Sequence, residues 1–221
     1  MMDDLGSAAF SALRSSAGLA APPTVFIVDE DISVRESLQA LIRDAGWQPE
    51  MFGSAQGFLA RSRMFSPSCL ILDVALPDLD GLELQRRIAE RTEMPLIFIT
   101  GHADIPTVVQ AMKAGAVEFM TKPFSHDALL SAIGDAIQRS RIALVQEFAL
   151  QALRERYASL SPREQQVMKS VVSGLLNKQI GGELGISEVT VKAHRGRVMR
   201  KMQAVSLADL VTMAARLQVT R

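Results

Sequence analysis

The chain has a single cysteine in 221 residues, so no internal disulfide can brace it and a small disulfide scaffold is excluded. Cys69 lies inside a strand-like apolar run, which makes it a small core residue rather than a redox group. No apolar stretch approaches the roughly 20 residues that span a bilayer, and residues 1–23 lack the compact apolar segment of a secretory signal. A cytoplasmic protein without membrane contact is therefore expected. Net charge is missing as well, because 24 Lys and Arg balance 24 Asp and Glu. The balance conceals a division. Residues 24–141 carry 11 Lys and Arg against 16 Asp and Glu, a net of −5, whereas residues 157–221 carry 10 against 4, a net of +6. Such asymmetry points to a basic module with a polyanionic partner and an acidic module with another task.

What is present is enough apolar residue, 48% of the chain, for one large core or two small ones. Residues 1–23 are rich in Ala, Ser and Gly, show no sustained period and end in Pro22-Pro23, the features of a mobile leader. Short apolar runs then end against polar residues in a fixed order. Val25-Phe26-Ile27-Val28 ends at Asp29-Glu30, Cys69-Leu70-Ile71-Leu72 at Asp73, and Leu96-Ile97-Phe98-Ile99 at Thr100. Val117-Glu118-Phe119-Met120 leads to Lys122-Pro123. Continuous runs of this length, alternating with helix-length segments, predict parallel strands buried on both faces. Strands are expected near 24–28, 48–52, 69–73, 95–100 and 117–120, with helices starting at Ser33, Ser54, about residue 81, residue 104 and Ser125. The fold class is α/β, a doubly wound five-stranded parallel sheet. Ser33-Val34-Arg35-Glu36 fits a capping box at the first helix.

In such a sheet the C-terminal strand ends open onto one crevice. Three carboxylates, a hydroxyl and an ammonium are therefore expected in one pocket. Asp73 can act as a nucleophile toward phosphorus if a cation neutralises the incoming group. Asp29 and Glu30 supply the remaining charge for a hard divalent ion, and Mg²⁺ fits best. Lys122 can pair with one phosphoryl oxygen while the Thr100 hydroxyl donates to another. An Asp-nucleophile phosphohydrolase would want a second acid two positions after the nucleophile, and Ala75 stands there.

Neither Gly nor Pro occurs between Asp135 and Ala158, while Ile137, Ile142, Val145, Phe148, Ala152 and Leu153 recur at roughly helical spacing. One long helix is predicted there, a semi-rigid connector reaching about 36 Å at 1.5 Å per residue. Its stripe suits either a dimer seam or packing on its own domain. Ser161-Pro162-Arg163-Glu164 then combines an N-cap, a first-turn proline and the capping-box acid. A short helix over about 177–184, a turn at Gly185 and a helix from Ser187 to about Met202 make a helix-turn-helix. On the last of these Val191, Val198 and Met202 share one face and Lys192, Ala193, Gly196 and Arg200 another, the candidate groove reader. Arg195, Arg197, Arg200 and Lys201 add charge for the phosphate backbone.

Two resemblances follow from these segments. Val28-Asp29-Glu30-Asp31, Leu72-Asp73, Leu76-Pro77-Asp78-Leu79-Asp80-Gly81, Ile99-Thr100-Gly101-His102 and Ala111-Met112-Lys113-Ala114-Gly115-Ala116 running to Lys122-Pro123-Phe124 resemble the receiver domain of a bacterial two-component response regulator. Leu160-Ser161-Pro162-Arg163-Glu164, Asn177-Lys178-Gln179-Ile180, Leu184-Gly185-Ile186-Ser187 and Val189-Thr190-Val191-Lys192-Ala193-His194 resemble a LuxR-type DNA-binding domain. Their order is similar to the FixJ/NarL type. The resemblance implies that Asp73 accepts a phosphoryl group from the histidine of a sensor kinase, and that Asp29, Glu30, Asp73 and the Ala75 carbonyl hold Mg²⁺. It implies a switch in which Thr100 moves toward the phosphate and Phe119 turns inward, favouring a homodimer. It also implies promoter DNA carrying an inverted repeat, read by residues including Thr190, Lys192, Ala193, Arg195, Gly196 and Arg200. A fourth helix over about 206–217, with Leu207, Leu210, Val211, Ala214 and Leu217, would be part core and part subunit contact.

The expected organisation is a leader over 1–23, a receiver over 24–138, a linker helix over 139–157 and a small all-α four-helix DNA-binding domain over 158–221. Two positions depart from the family's pattern. The second acid is Glu30 rather than Asp, and Ala75 replaces the Arg or longer polar residue that relatives often carry. Two other readings remain open, a DNA-binding regulator with a structural, unphosphorylated receiver and a phosphohydrolase using Asp73.

Overall fold

The computed structural model of the protein describes residues 22–102 and 104–219. The leader read over residues 1–23 lies outside them except for Pro22 and Pro23. The chain divides into two compact units between Val145 and Gln146.

In the first unit β1 Thr24–Val28, α1 Ile32–Asp44, β2 Gln48–Phe52, α2 Ala55–Leu59, β3 Ser68–Asp73, α3 Gly81–Arg87, β4 Leu96–Thr100, α4 Ile105–Lys113 and β5 Glu118–Thr121 alternate, and α5 His126–Ala158 begins in this unit and ends in the second. The sheet order is β2-β1-β3-β4-β5 with every neighbouring pair parallel. The apolar runs are continuous because β1, β3 and β4 are covered on both faces. Alternation sends Phe26, Val28, Leu70, Leu72, Leu96 and Phe98 toward α2, α3 and α4. Val25, Ile27, Cys69, Ile71, Ile97 and Ile99 face α1 and the first part of α5. Truncating a side chain such as fully buried Phe98 would cost about 3–5 kcal/mol. The sheet therefore supplies a stiff platform whose C-terminal edge presents the polar residues.

Local chemistry sets the helix starts. The Asp80, Asp104 and Ser54 side chains accept from the Leu82, Thr107 and Gly57 amides, capping α3, α4 and α2. At α1 the structure corrects the sequence reading. The cap is Asp31, whose carboxylate takes the Ser33 amide at 2.8 Å, and no Ser33–Glu36 capping box forms. An anionic acceptor two residues earlier suits the positive end of the helix better than a serine hydroxyl. Gly81, at the first position of α3, is required by space, since a Cβ there would sit 2.6 Å from the Asp73 carbonyl oxygen.

The helix read from Ser125 and the helix read after Asp135 are one continuous element of 33 residues. Its expected apolar stripe also needs correction. Ile133, Ile137 and Leu144 are buried with Ser140, whereas Ile142 and Val145 are exposed. At about 100° per residue Ile142 is turned roughly 140° from Ile137 and cannot share its face, while Leu144 can. Ser140 is bound at the foot of the sheet, its Oγ accepting from the Ser68 amide at 2.9 Å and donating to the Glu93 carbonyl.

The second unit contains α6 Pro162–Val172, α7 Asn177–Leu184, α8 Glu188–Met202 and α9 Leu207–Arg216. Val167, Met168, Val171, Ile180, Val191, Val198, Met202, Leu210 and Ala214 form its core. The capping box at α6 is complete: the Ser161 Oγ accepts from the Glu164 amide and Glu164 Oε2 from the Ser161 amide. Helix α7 closes on Gly185 at φ 64°, and Ser187 caps α8. Leu207 and Val211 of α9 are exposed while Leu210 and Ala214 are buried, so its stripe divides between core and surface.

Candidate functional site

The ends of β1, β3 and β4 and the turn after β5 enclose a cleft of about 300 Å³ lined by Asp29, Glu30, Asp73, Ala75, Thr100, Gly101, His102 and Lys122, among others. The sheet positions these groups directly. Asp29 follows β1, Asp73 ends β3 and Thr100 ends β4, while the Lys122 amide donates to the Thr100 carbonyl at 2.7 Å. That bond sets the lysine beside the carboxylates from across two strands.

The Lys122 ammonium stands between two carboxylates, 2.6 Å from Asp29 Oδ2 and 2.7 Å from Asp73 Oδ2. Asp29 Oδ1 accepts from the Asp31 amide and Asp73 Oδ1 from the Ala75 amide. Each carboxylate is thereby aimed with one oxygen at backbone and the other at the lysine. Burial weighs against charge on Lys122, but the hydrogen bonds and charges of Asp29 and Asp73 outweigh it and hold the ammonium above the ordinary lysine range. Asp29 is fully buried and Asp73 nearly so, so this pair of negative charges depends on the shared cation.

The remaining groups are placed unequally. Thr100 is buried, its hydroxyl donating to the His102 carbonyl at 3.1 Å and accepting from the His102 amide at 3.4 Å. Phe119, half-buried on edge strand β5, packs on Phe98 with 5.7 Å between ring centroids. Ala75 is exposed at the cleft mouth. Glu30 corrects the expectation of three converging carboxylates: it lines the cleft but is exposed, and among the described residues no three His, Cys, Asp or Glu side chains gather as a metal cluster. At the rim its carboxylate keeps its hydration, which converging on Asp29 and Asp73 would strip. The Asp29 and Asp73 carboxylates, in an open cleft shared with the Lys122 ammonium, still suit Mg²⁺, which takes one or two carboxylates and keeps several waters.

Sequence reasoning missed Arg35, whose Nη1 donates to the Asp29 carbonyl at 2.7 Å and the Glu30 carbonyl at 2.9 Å. It fixes the loop that carries the acidic pair. Its position in the first turn of the helix following those acids was the available signal. Asp78, noted only as part of a motif, closes on the Ala55 and Gln56 amides and so organises the start of α2.

In the second unit the outward stripe of α8 contains Lys192, Ala193, Gly196 and Arg200, all exposed. Lys192 pairs with Glu188 one turn earlier, at 3.4 Å. Thr190 is exposed, with its hydroxyl 2.8 Å from that of the cap residue Ser187. Arg195 lies elsewhere. About 100° per residue carries it around to the side of Val191 and Val198, where it is half-buried and donates to Asn177 Oδ1 at 2.8 Å. Lys201, read as backbone charge, is likewise engaged, donating to Glu164 Oε2 at 2.6 Å and to the Ser159 carbonyl at 3.0 Å. The Lys201 hydrogen bond, then that of the Ser161 amide, holds the Glu164 carboxyl below the usual carboxylate range.

A doubly wound parallel sheet whose strand ends gather two carboxylates around a lysine, followed by a helix-turn-helix, is the build of a two-component response regulator with a DNA-binding output. Residues 25–134 match the response regulator receiver domain, and residues 158–214 match the luxR family of bacterial regulatory proteins. Nodulation protein W of Bradyrhizobium diazoefficiens is 48% identical over 197 residues, covering 89% of this chain and 87% of that protein. Transcriptional regulatory protein FixJ of the same organism is 43% identical, covering 87% and 94%. The solved structure of response regulator StyR is 46% identical with a TM-score of 0.75, covering 89% of this chain and all of that one. The chain belongs to the FixJ-like transcriptional regulators of two-component systems, and it is a regulator rather than an enzyme.

Proposed function

We propose that Asp73 is the phosphoacceptor of this regulator and that its phosphorylation switches promoter binding. The carrying observation is the Asp29–Lys122–Asp73 arrangement, a carboxylate held ready by a shared ammonium in an open cleft. An Asp73 oxygen attacks the phosphorus of a phosphohistidine on a sensor kinase; the P–N bond breaks, an acyl phosphate forms, and the imidazole nitrogen keeps the electron pair. Lys122 then trades the Asp73 carboxylate for a phosphoryl oxygen, and the Thr100 hydroxyl leaves the His102 carbonyl for another. Asp29, Asp73 and the Ala75 carbonyl would hold Mg²⁺, with Glu30 contributing charge from the rim. When bound, the ion neutralises the phosphoryl oxygens.

Withdrawal of Thr100 from its present position opens space that Phe119 enters by turning away from the surface. The altered face includes α4, where Ile105, Val109 and Met112 are exposed, and it favours a homodimer. Two α8 helices then meet an inverted repeat in the major groove, with Lys192, Ala193, Gly196 and Arg200 at the bases and phosphates. Thr190 and Arg195 support that surface from the cap and from Asn177. No helix among the described residues is long and apolar enough to cross a membrane, and a cytoplasmic setting follows for a protein that meets both a kinase and promoter DNA.

The test is labelling of the full-length chain by acetyl phosphate with Mg²⁺. Asp73→Asn should abolish incorporation, and wild-type incorporation by that variant would remove the assignment.

A further inference from the structure

The DNA-facing stripe of α8 starts one turn earlier than its cations suggest. Val189, in the first turn of the helix, is 76% exposed, although an isolated valine at that position gains nothing from water. At about 100° per residue Val189, Ala193, Gly196 and Arg200 fall within one narrow band, opposite the buried Val191, Val198 and Met202. Lys192 flanks the band. It holds no acidic side chain, and around Gly196 nothing lies within 4 Å of where a Cβ would stand. The band therefore runs from an apolar knob, past two small residues, to a guanidinium.

The other exposed aliphatic residues of this unit are placed differently: Leu176 and Val205 lie outside the helices, and Leu207 and Val211 are on α9. Val189 is the one among them that lies on α8 itself. A branched aliphatic side chain on the leading turn of a recognition helix has one apolar partner in the major groove, the C5-methyl of thymine. We infer that Val189 is a specificity residue that packs on a thymine methyl in each half-site, at the end of the recognised sequence opposite to Arg200. This inference rests on the reading of α8 as the groove helix.

The structure also explains why the contact can select a base. Ser187 accepts from the Thr190 amide and its hydroxyl meets that of Thr190, so the first turn is pinned on both sides of Val189. A β-branched side chain in a helix holds essentially one rotamer, so its methyl groups are presented at fixed positions. A thymine methyl that meets them loses water on both sides, whereas uracil or cytosine leaves a void.

Duplexes selected from a random pool by the full-length phosphorylated protein provide the probe, with each thymine replaced singly by deoxyuridine, which removes only the methyl. One thymine per half-site should lose about fourfold in affinity for the wild-type chain, the value of one buried methyl. Val189→Ala, an exposed change to a better helix former, should bind that duplex with or without the methyl equally. If Val189→Ala keeps the wild-type response to deoxyuridine at every position, the inference is wrong while the groove reading stands. If Lys192→Ala selects and binds the same duplexes with unaltered affinity, the groove reading itself is wrong.

Discussion

At the scale of single residues, charge partners decide which titratable groups are free to act. Lys122 and Lys201 both bridge to acids, but only the first does so in an open cleft. Glu164 is 3% exposed and its carboxyl is held below the usual range by Lys201 and the Ser161 amide. Since an unfolded glutamate titrates near about 4.3, its contribution to stability is full above that value and is lost as pH falls through the lower folded value. Acid unfolding of the second unit, followed by circular dichroism, should therefore steepen below about pH 4.3, and Glu164→Gln should flatten that limb; an unchanged limb would dissociate Glu164 from acid stability. Such pairing is invisible in sequence. Lys201 follows Arg200 directly, yet one turns to solvent and the other to Glu164, because adjacent helical positions differ by about 100°. Asp73, Thr100 and Lys122 were legible for the opposite reason: each sits at a strand end, where the sheet leaves little freedom of placement.

At the scale of elements, strand positions and helix starts were read nearly in place, since buried strands need uninterrupted apolar runs and caps need particular side chains. The errors came where two local solutions competed, as with Asp31 and Ser33, or where helical phase had to be carried over many residues, as in α5. Ser140 marks the place where α5 is joined to the sheet foot. Removing its hydroxyl strands the Ser68 amide and the Glu93 carbonyl, both in residues 2% exposed. Ser140→Ala should lower stability by about 1–3 kcal/mol, measured as a reduced urea midpoint with an unchanged slope. A midpoint equal to wild type would show that water replaces the hydroxyl. Gly181 sets a similar limit in the helix-turn-helix, since a Cβ there would lie 2.7 Å from the Ile186 carbonyl oxygen.

At the scale of the whole molecule, a net charge of zero describes neither half. The −5 of residues 24–141 and the +6 of residues 157–221 suit, respectively, the proposed cation-dependent phosphoryl site and a polyanion. Binding to selected duplexes should weaken steeply with salt, and Arg200→Ala should reduce the logarithmic salt slope by about 1 per bound protomer. An unaltered slope would take Arg200 off the phosphate backbone. The order of two modules was legible from the sequence because each carries its own motif set. The continuity of α5 was not, because a helix that ends one unit and a helix that begins the next look the same as a single long one.

The sealed position of Cys69 has a practical consequence. It is fully buried between β1 and β4, and burial pushes its thiol far above the range in which it reacts. No other cysteine exists in the chain. The native protein is thus chemically silent toward thiol-directed spin labels and fluorophores, and a cysteine introduced by Ile142→Cys or Val145→Cys, both at exposed positions, would be its one reactive handle. Motions of the long helix can then be followed spectroscopically without first removing the native cysteine.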